Sequence, residues 1–161
     1  MVKYLAVAIF NLHNDVNVGT IIRSANAFGA QEIAIIGRKQ YNTSAATGGQ
    51  STMKVQKFKI MDDFLEYCAK EQFSIVSVEI TSNSKSLYDF EFPEKTMLIL
   101  GNEGSGVPEK ILSSSSAVVR IPQFGSVECL NVAVSASIVC YEWSKQQGLK
   151  ERNIEGFKFL N

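Results

Sequence analysis

The sequence predicts an α/β fold: a mainly parallel sheet with helices on both faces. Three observations carry the prediction. Short, nearly continuous apolar runs recur along the chain, as in strands buried on both faces. Helical patterns alternate with these runs, the order that builds βαβ units. The 161 residues contain no repeat, linker or shift in composition, so residues 1–161 are read as one domain, long enough to bury a substantial core.

Taken in order, Lys3 to Phe10 is the first strand. Asn11 to Gly19 is polar and turn-prone, and a helical pattern follows with Ile21, Ile22, Ala25 and Phe28 on one side, closed by Gly29. Glu32 to Ile36 is the second strand, ended by Gly37. Thr43 to Thr52 is small-residue loop, and Val55 to Ile60 alternates like a strand with basic residues outward. Asp62 is expected to cap a helix of roughly Asp63 to Glu71, with Phe64, Leu65 and Cys68 as its apolar stripe. Ser74 to Ile80 and Thr96 to Leu100 are β-branched or apolar strands. Pro108 suits the first turn of a short helix reaching Leu112. Ala117 to Ile121 is the last strand, stopped by Pro122, which cannot donate to a ladder. Its exit loop holds Gly125, expected to open backbone angles closed to other residues. The chain restarts at Leu130-Asn131 as a helix capped by Asn131 and ending near Lys145; Ala133, Ser135, Ala136 and Ser137 let another backbone come close.

Composition narrows the chemistry. The hydrophobic share is 45% and the charged share 20%, ordinary for a globular protein. No apolar run is long enough to cross a bilayer and the first residues lack a secretory layout, so no membrane partner and a cytoplasmic location are expected. Cys68, Cys129 and Cys140 form no C-x-x-C pair and His13 is the sole histidine, which argues against a disulfide framework or a metal site. Net charge is zero, yet from Ile33 to Met61 the chain carries Arg38, Lys39, Lys54, Lys57 and Lys59 and no acidic residue. Such a block suits a phosphate backbone, and equally an edge strand whose lysines guard against aggregation.

In open α/β sheets, ligands bind beyond the carboxyl ends of strands. Three such ends, after Phe10, Leu100 and Ile121, carry loops rich in glycine and asparagine, and their convergence is the case for one site. Familiar nucleotide chemistries fail on spacing. Gly101 and Gly106 stand apart like the glycines of a P-loop, but Val107-Pro108 occupy the Lys-Ser/Thr positions, and glycines 101, 104 and 106 do not form G-x-G-x-x-G. No G-x-S-x-G elbow supports a serine hydrolase.

Three segments carry a resemblance: Asn17-Val-Gly-Thr-Ile-Ile-Arg-Ser-Ala-Asn-Ala-Phe-Gly29, Leu98-Ile-Leu-Gly-Asn-Glu-Gly-Ser-Gly-Val-Pro108 and Ile121-Pro-Gln-Phe-Gly-Ser-Val-Glu-Cys-Leu-Asn-Val-Ala-Val-Ser135. In order and spacing they resemble the three motifs of the SpoU (TrmH) family of RNA ribose 2′-O-methyltransferases. The resemblance implies a SPOUT fold whose C-terminal part forms a trefoil knot around S-adenosyl-L-methionine, and a homodimer with active sites at the subunit interface. It also implies a catalytic group of Arg23, Asn17, Glu103 and Asn131. Val78, Leu100, Gly101, Asn102, Ile121, Cys129 and Leu130 would form the cofactor pocket. Cys129 stands where the family usually has serine, and a thiol is the weaker hydrogen-bond partner. Either a contact there is weakened, or backbone groups do the binding and the exchange is tolerated.

The first strand lies almost at the start of the sequence, so no N-terminal RNA-binding extension like that of many ribosomal-RNA members is expected. This lean layout resembles the transfer-RNA members, and the Ile-Pro-Gln-x-Gly and Phe92-Pro-Glu-Lys95 wording resembles the branch that methylates a D-loop guanosine. RNA contacts are then expected at Arg38, Lys39, Lys54 and Lys57 and on the C-terminal tail. A ribosomal-RNA enzyme, or a catalytically silent RNA-binding factor with the same fold, stays open as the alternative.

Overall fold

The computed structural model describes residues 2–37 and 52–152. In chain order the elements are β1 (Tyr4–Phe10), α1 (Asp15–Ala27), β2 (Glu32–Ile36), β3 (Lys54–Phe58), α2 (Met61–Lys70), β4 (Ser74–Val78), β5 (Lys85–Ser86), β6 (Lys95–Leu100), α3 (Glu109–Ser114), β7 (Ala117–Arg120) and α4 (Val132–Gln146). The strands form one sheet in the order β3-β2-β1-β6-β4-β7-β5. Every pairing among them is parallel. From β1 the chain steps outward through β2 and β3, then crosses back to β4, and β6 later fills the gap between β1 and β4. That gap is a topological switch point, where a sheet of this kind opens a crevice at its carboxyl edge.

The unbroken apolar strands conceal a strict alternation. Leu5, Val7, Ile9, Ile33, Ile35, Leu98 and Leu100 face one layer, packed by Val18, Ile21, Ile22 and Ala25 of α1 and by Ala133, Ala136, Val139, Cys140 and Trp143 of α4. Ala6, Ala8, Ala34, Ile36, Met97 and Ile99 face the other, against Phe64 and Cys68 of α2 and Ile111 of α3. Each fully buried large apolar side chain contributes about 1.5–3 kcal/mol. Trp143 is completely buried, and its indole N–H donates to the Pro93 carbonyl at 3.2 Å. Burial also pushes the thiols of Cys68 and Cys140 up to about 12.

Four local expectations are corrected. The first helix begins at Asp15, earlier than its apolar stripe suggests, because Asn14 Oδ1 accepts from the N–H of Val16 at 2.9 Å and of Asn17 at 3.3 Å. Asp62 is not a cap: it lies within the first turn of α2, whose cap position is Ile60 with no side-chain hydrogen bond. Pro108 precedes α3 as its cap residue, outside the first turn. Gly125 does not have a positive φ, and a Cβ there would meet nothing within 4 Å. A short parallel strand, β5, goes unseen in the sequence because two polar residues carry no periodicity.

Arg38 and Lys39 of the basic block lie outside the described residues. Lys54 is described, and it is engaged: its Nζ lies 3.6 Å from the buried carboxylate of Glu32 and donates to Tyr67 Oη at 3.0 Å. Tyr67 Oη in turn donates to Glu32 at 2.8 Å, and Tyr4 Oη donates to it at 3.1 Å. Burial first, then the Glu32 charge, raises the Tyr4 phenol to about 12. This cluster ties the edge strand β3 to β2 at the end of the sheet opposite the crevice, so the half-exposed Lys54 has a part in the fold. Lys57 is exposed. No described helix is long and apolar enough to cross a membrane.

Candidate active site

The carboxyl ends of three adjacent strands, β6, β4 and β7, wall a cavity of about 690 Å³. Val78 comes from β4, Leu100, Gly101 and Asn102 from β6 and its exit loop, Ile121 from the end of β7, and Cys129 and Leu130 from the approach to α4; all line the cavity, as do Glu103 and Asn131. Glu79, Ile80, Arg120 and Gln123 also line it. Arg120 and Gln123 fall inside or beside the third motif, whereas Glu79 carries no local signal beyond following a strand.

The loop after β6 is folded tightly on itself. Asn102 N–H donates to the Gly106 carbonyl at 3.1 Å and Gly106 N–H returns to the Asn102 carbonyl at 2.9 Å. A Cβ on Gly101 would fall 2.2 Å from the Gly106 backbone, closer than any side chain tolerates. The Asn102 side chain completes the loop, accepting from Gly104 N–H at 2.8 Å and Ser105 N–H at 3.1 Å while donating to the Asn11 carbonyl at 2.7 Å. Asn102 therefore shapes the cavity wall and ties the β6 loop to the β1 loop; both ends of its amide are already used.

At the mouth, one residue from each motif joins a relay. Asn17 Nδ2 donates to Glu103 Oε1 at 3.1 Å. Asn131 Nδ2 donates to Asn17 Oδ1 at 3.1 Å, and Asn131 Oδ1 accepts from the N–H of Ala133 at 2.8 Å and Val134 at 3.3 Å, capping α4. An ionised carboxylate only accepts, so it orients the Asn17 amide, which in turn orients Asn131. Desolvation, the largest influence on the Glu103 carboxyl, pushes it up, but its own backbone N–H, the Asn17 amide and the backbones of His13 and Asn14 together hold it below the ordinary value. Glu103 is thus an anion at neutral pH, seated near the N-terminus of α1, where the helix dipole favours negative charge.

Arg23 is not gathered into this group. It is exposed on α1 and does not line the cavity. It lies six residues after Asn17, and at 3.6 residues per turn it faces a different side of the helix. Gln123 shows the opposite situation: its Oε1 is buried in the described structure with no hydrogen-bond partner. A buried acceptor left in this state costs about 1–3 kcal/mol, which a donor on a ligand would recover.

A family model described as the SpoU rRNA Methylase family matches residues 4–141. Among curated relatives, a mouse tRNA (guanosine(18)-2'-O)-methyltransferase, TARBP1, is 30% identical over 138 residues, covering 81% of this chain and 9% of that protein. The Escherichia coli K12 tRNA (guanosine(18)-2'-O)-methyltransferase is 26% identical over 146 residues, covering 89% of this chain and 64% of that protein. The chain thus spans less than two thirds of either relative. Among solved structures, an AdoMet-bound rRNA methyltransferase from Sinorhizobium meliloti superposes with a TM-score of 0.85 at 25% identity, over 93% of this chain and 59% of that one.

Proposed function

This chain belongs to the SpoU rRNA Methylase family, and from that premise we propose that it transfers a methyl group from S-adenosyl-L-methionine to a ribose 2′-hydroxyl of RNA. Transfer RNA is the proposed substrate class and a D-loop guanosine the target, in keeping with the names of the mouse and E. coli relatives. The observation that carries the reading is the Glu103–Asn17–Asn131 relay at the mouth of the cavity.

The residues present fit the cofactor. Val78, Ile80, Leu100, Ile121 and Leu130 offer apolar walls to an adenosine, and the unpartnered Gln123 carbonyl suits an amino group. Bound there, S-adenosyl-L-methionine supplies an activated methyl on a sulfonium. The chain's own part is to orient the acceptor. Held in line, reactants can gain about 7–11 kcal/mol from proximity and orientation. Asn131, locked by Asn17 and the α4 backbone, positions the ribose; Glu103 fixes the polarity of both amides. Arg23 stabilises the developing alkoxide and the neighbouring phosphate, since a guanidinium stays protonated at any ordinary pH and makes a poor base.

Because Arg23 lies outside the cavity wall, it is supplied by the second copy of a homodimer in this reading. Exposed apolar side chains support such a pairing: Phe124 and Val127 in the loop before α4, Val134 and Tyr141 on α4, and Val16 on α1. The remaining family traits, the trefoil knot and a single SPOUT domain over these residues, are part of the same proposal. Cys129 is tolerated in place of serine because its backbone does the binding.

The test pairs cofactor titration with methyl transfer to bulk transfer RNA. Binding and transfer in the wild type, with transfer abolished in Arg23→Ala, are expected. Near-wild-type transfer in both Arg23→Ala and Arg23→Lys would remove Arg23 from the mechanism, and binding without transfer to any RNA would identify a silent RNA-binding factor.

A further inference from the structure

Glu79 is a carboxylate in the cavity wall with a purpose-made seat. Its Oε2 accepts from the Val107 N–H at 3.0 Å and its Oε1 from the Ile80 N–H at 2.8 Å. Gly106, at φ +69, leaves the space it occupies, since a Cβ there would stand 2.3 Å from Oε2. The β6 exit loop thus gives up a side chain to admit this group.

Each Glu79 oxygen takes one of these backbone donors, and an ionised carboxylate has about four acceptor sites, so it retains capacity toward the cavity. Two other charged side chains, Glu103 and Arg120, line the same wall, so two carboxylates face one guanidinium and the wall is negative on balance. Glu103 belongs to the Asn17 relay, and the Arg120 guanidinium donates to the Ser84 carbonyl. Apolar walls from Val78, Leu100 and Leu130 lie beside Glu79, and a bound ligand that displaces water from them strengthens the field of the charge. The two backbone N–H groups need an acceptor at both oxygens, which a carboxylate supplies and an amide would supply at only one end. The negative charge that comes with them also favours a ligand of opposite sign.

We infer that Glu79 sets the charge selectivity of the cavity, favouring a cationic sulfonium donor over the neutral thioether left after methyl transfer, and so promoting exchange of product for fresh donor. The inference rests on the methyltransferase reading above. It makes Glu79 a specificity-determining residue that takes no part in the chemical step.

Isothermal titration calorimetry of S-adenosyl-L-methionine and S-adenosyl-L-homocysteine against wild type and Glu79→Gln tests it. Glutamine keeps the size and one acceptor while removing the charge. The variant is expected to bind the sulfonium about tenfold more weakly and the thioether as wild type does, a change of about 1.4 kcal/mol in preference. A second measurement needs no variant: wild type should bind sinefungin, which carries an amino group in place of the sulfonium methyl, more tightly than the thioether. An unchanged sulfonium-to-thioether ratio in a folded Glu79→Gln, or wild-type sinefungin binding no tighter than the thioether, overturns the inference alone. A wild type that binds none of the three ligands overturns the methyltransferase reading itself, and this inference with it.

Discussion

Asn131 performs two separable tasks, and two substitutions pull them apart. Its Oδ1 caps α4 through Ala133 and Val134, and its Nδ2 donates to Asn17 Oδ1. Asn131→Ala removes both. Loss of the cap costs about 1 kcal/mol and loss of the bond to Asn17 about another 1 kcal/mol. For a chain of this size each kcal/mol lowers the midpoint by about 2–4 °C, so a fall of roughly 4–8 °C is expected. Asn131→Asp keeps an acceptor at the cap, where the helix N-terminus favours an anion, but sets a second oxygen against Asn17 Oδ1. Asn17 cannot turn its amide over in response, because the Glu103 carboxylate requires the NH₂ end. Asn131→Asp should therefore lose no more than about half the stability that Asn131→Ala loses, yet transfer methyl groups at least about tenfold more slowly than wild type, the effect of roughly 1.4 kcal/mol in the barrier. Thermal unfolding by calorimetry and labelled methyl incorporation into transfer RNA read the two quantities on the same preparations. Wild-type transfer by Asn131→Asp would refute the relay as an orienting device; equal destabilisation by both variants would refute the division of its two ends.

Three further outcomes follow from the same geometry. The folded-state carboxyl of Glu103 lies below its ordinary value of 4.5, so the stability it adds is present above that value and is lost as pH falls through the folded value; the gap in melting temperature between wild type and Glu103→Gln should be constant near neutrality and close in acid. Gly101→Ala places a Cβ against immovable backbone and should destabilise by about 2 kcal/mol or more, whereas Gly125→Ala, facing open space, should stay within about 0.5 kcal/mol by chemical denaturation. In filter binding of transfer RNA across salt concentrations, Lys57→Ala and Lys54→Ala should each lower the logarithmic salt slope by about one, and Lys54→Ala, whose ammonium also binds Glu32 and Tyr67, should in addition lower thermal stability; an unchanged slope in both would remove these lysines from the RNA surface.

Much of this protein is written locally. Apolar runs of five to seven residues bounded by turn residues and rich in β-branched side chains fit strands buried on both faces, and the β2 limits agree with the sequence expectation at both ends. The three motif segments are equally legible, because glycine, proline and asparagine at fixed spacing each restrict the backbone near themselves. Asn131 as a helix cap is such a local fact. Where the sequence reading went astray, competing local signals looked alike: Asp62 and Asn14 are both good cap residues, but only the chain direction entering each helix decides which side chain can reach the free N–H groups.

What the tertiary fold alone decided is which distant groups share a space. Glu103 and Asn17 are 86 residues apart and Asn131 and Asn17 114 apart, and no periodicity links them. Nor does the basic block reveal that Lys54 belongs to a buried Glu32, or the end of β4 that Glu79 fills the place of a missing Gly106 side chain. Sequence determines which backbone shapes each segment allows, because those limits act over a few residues. Hydrogen bonds and charges act through space, so their partners exist only once the sheet has set β1, β6 and β4 side by side.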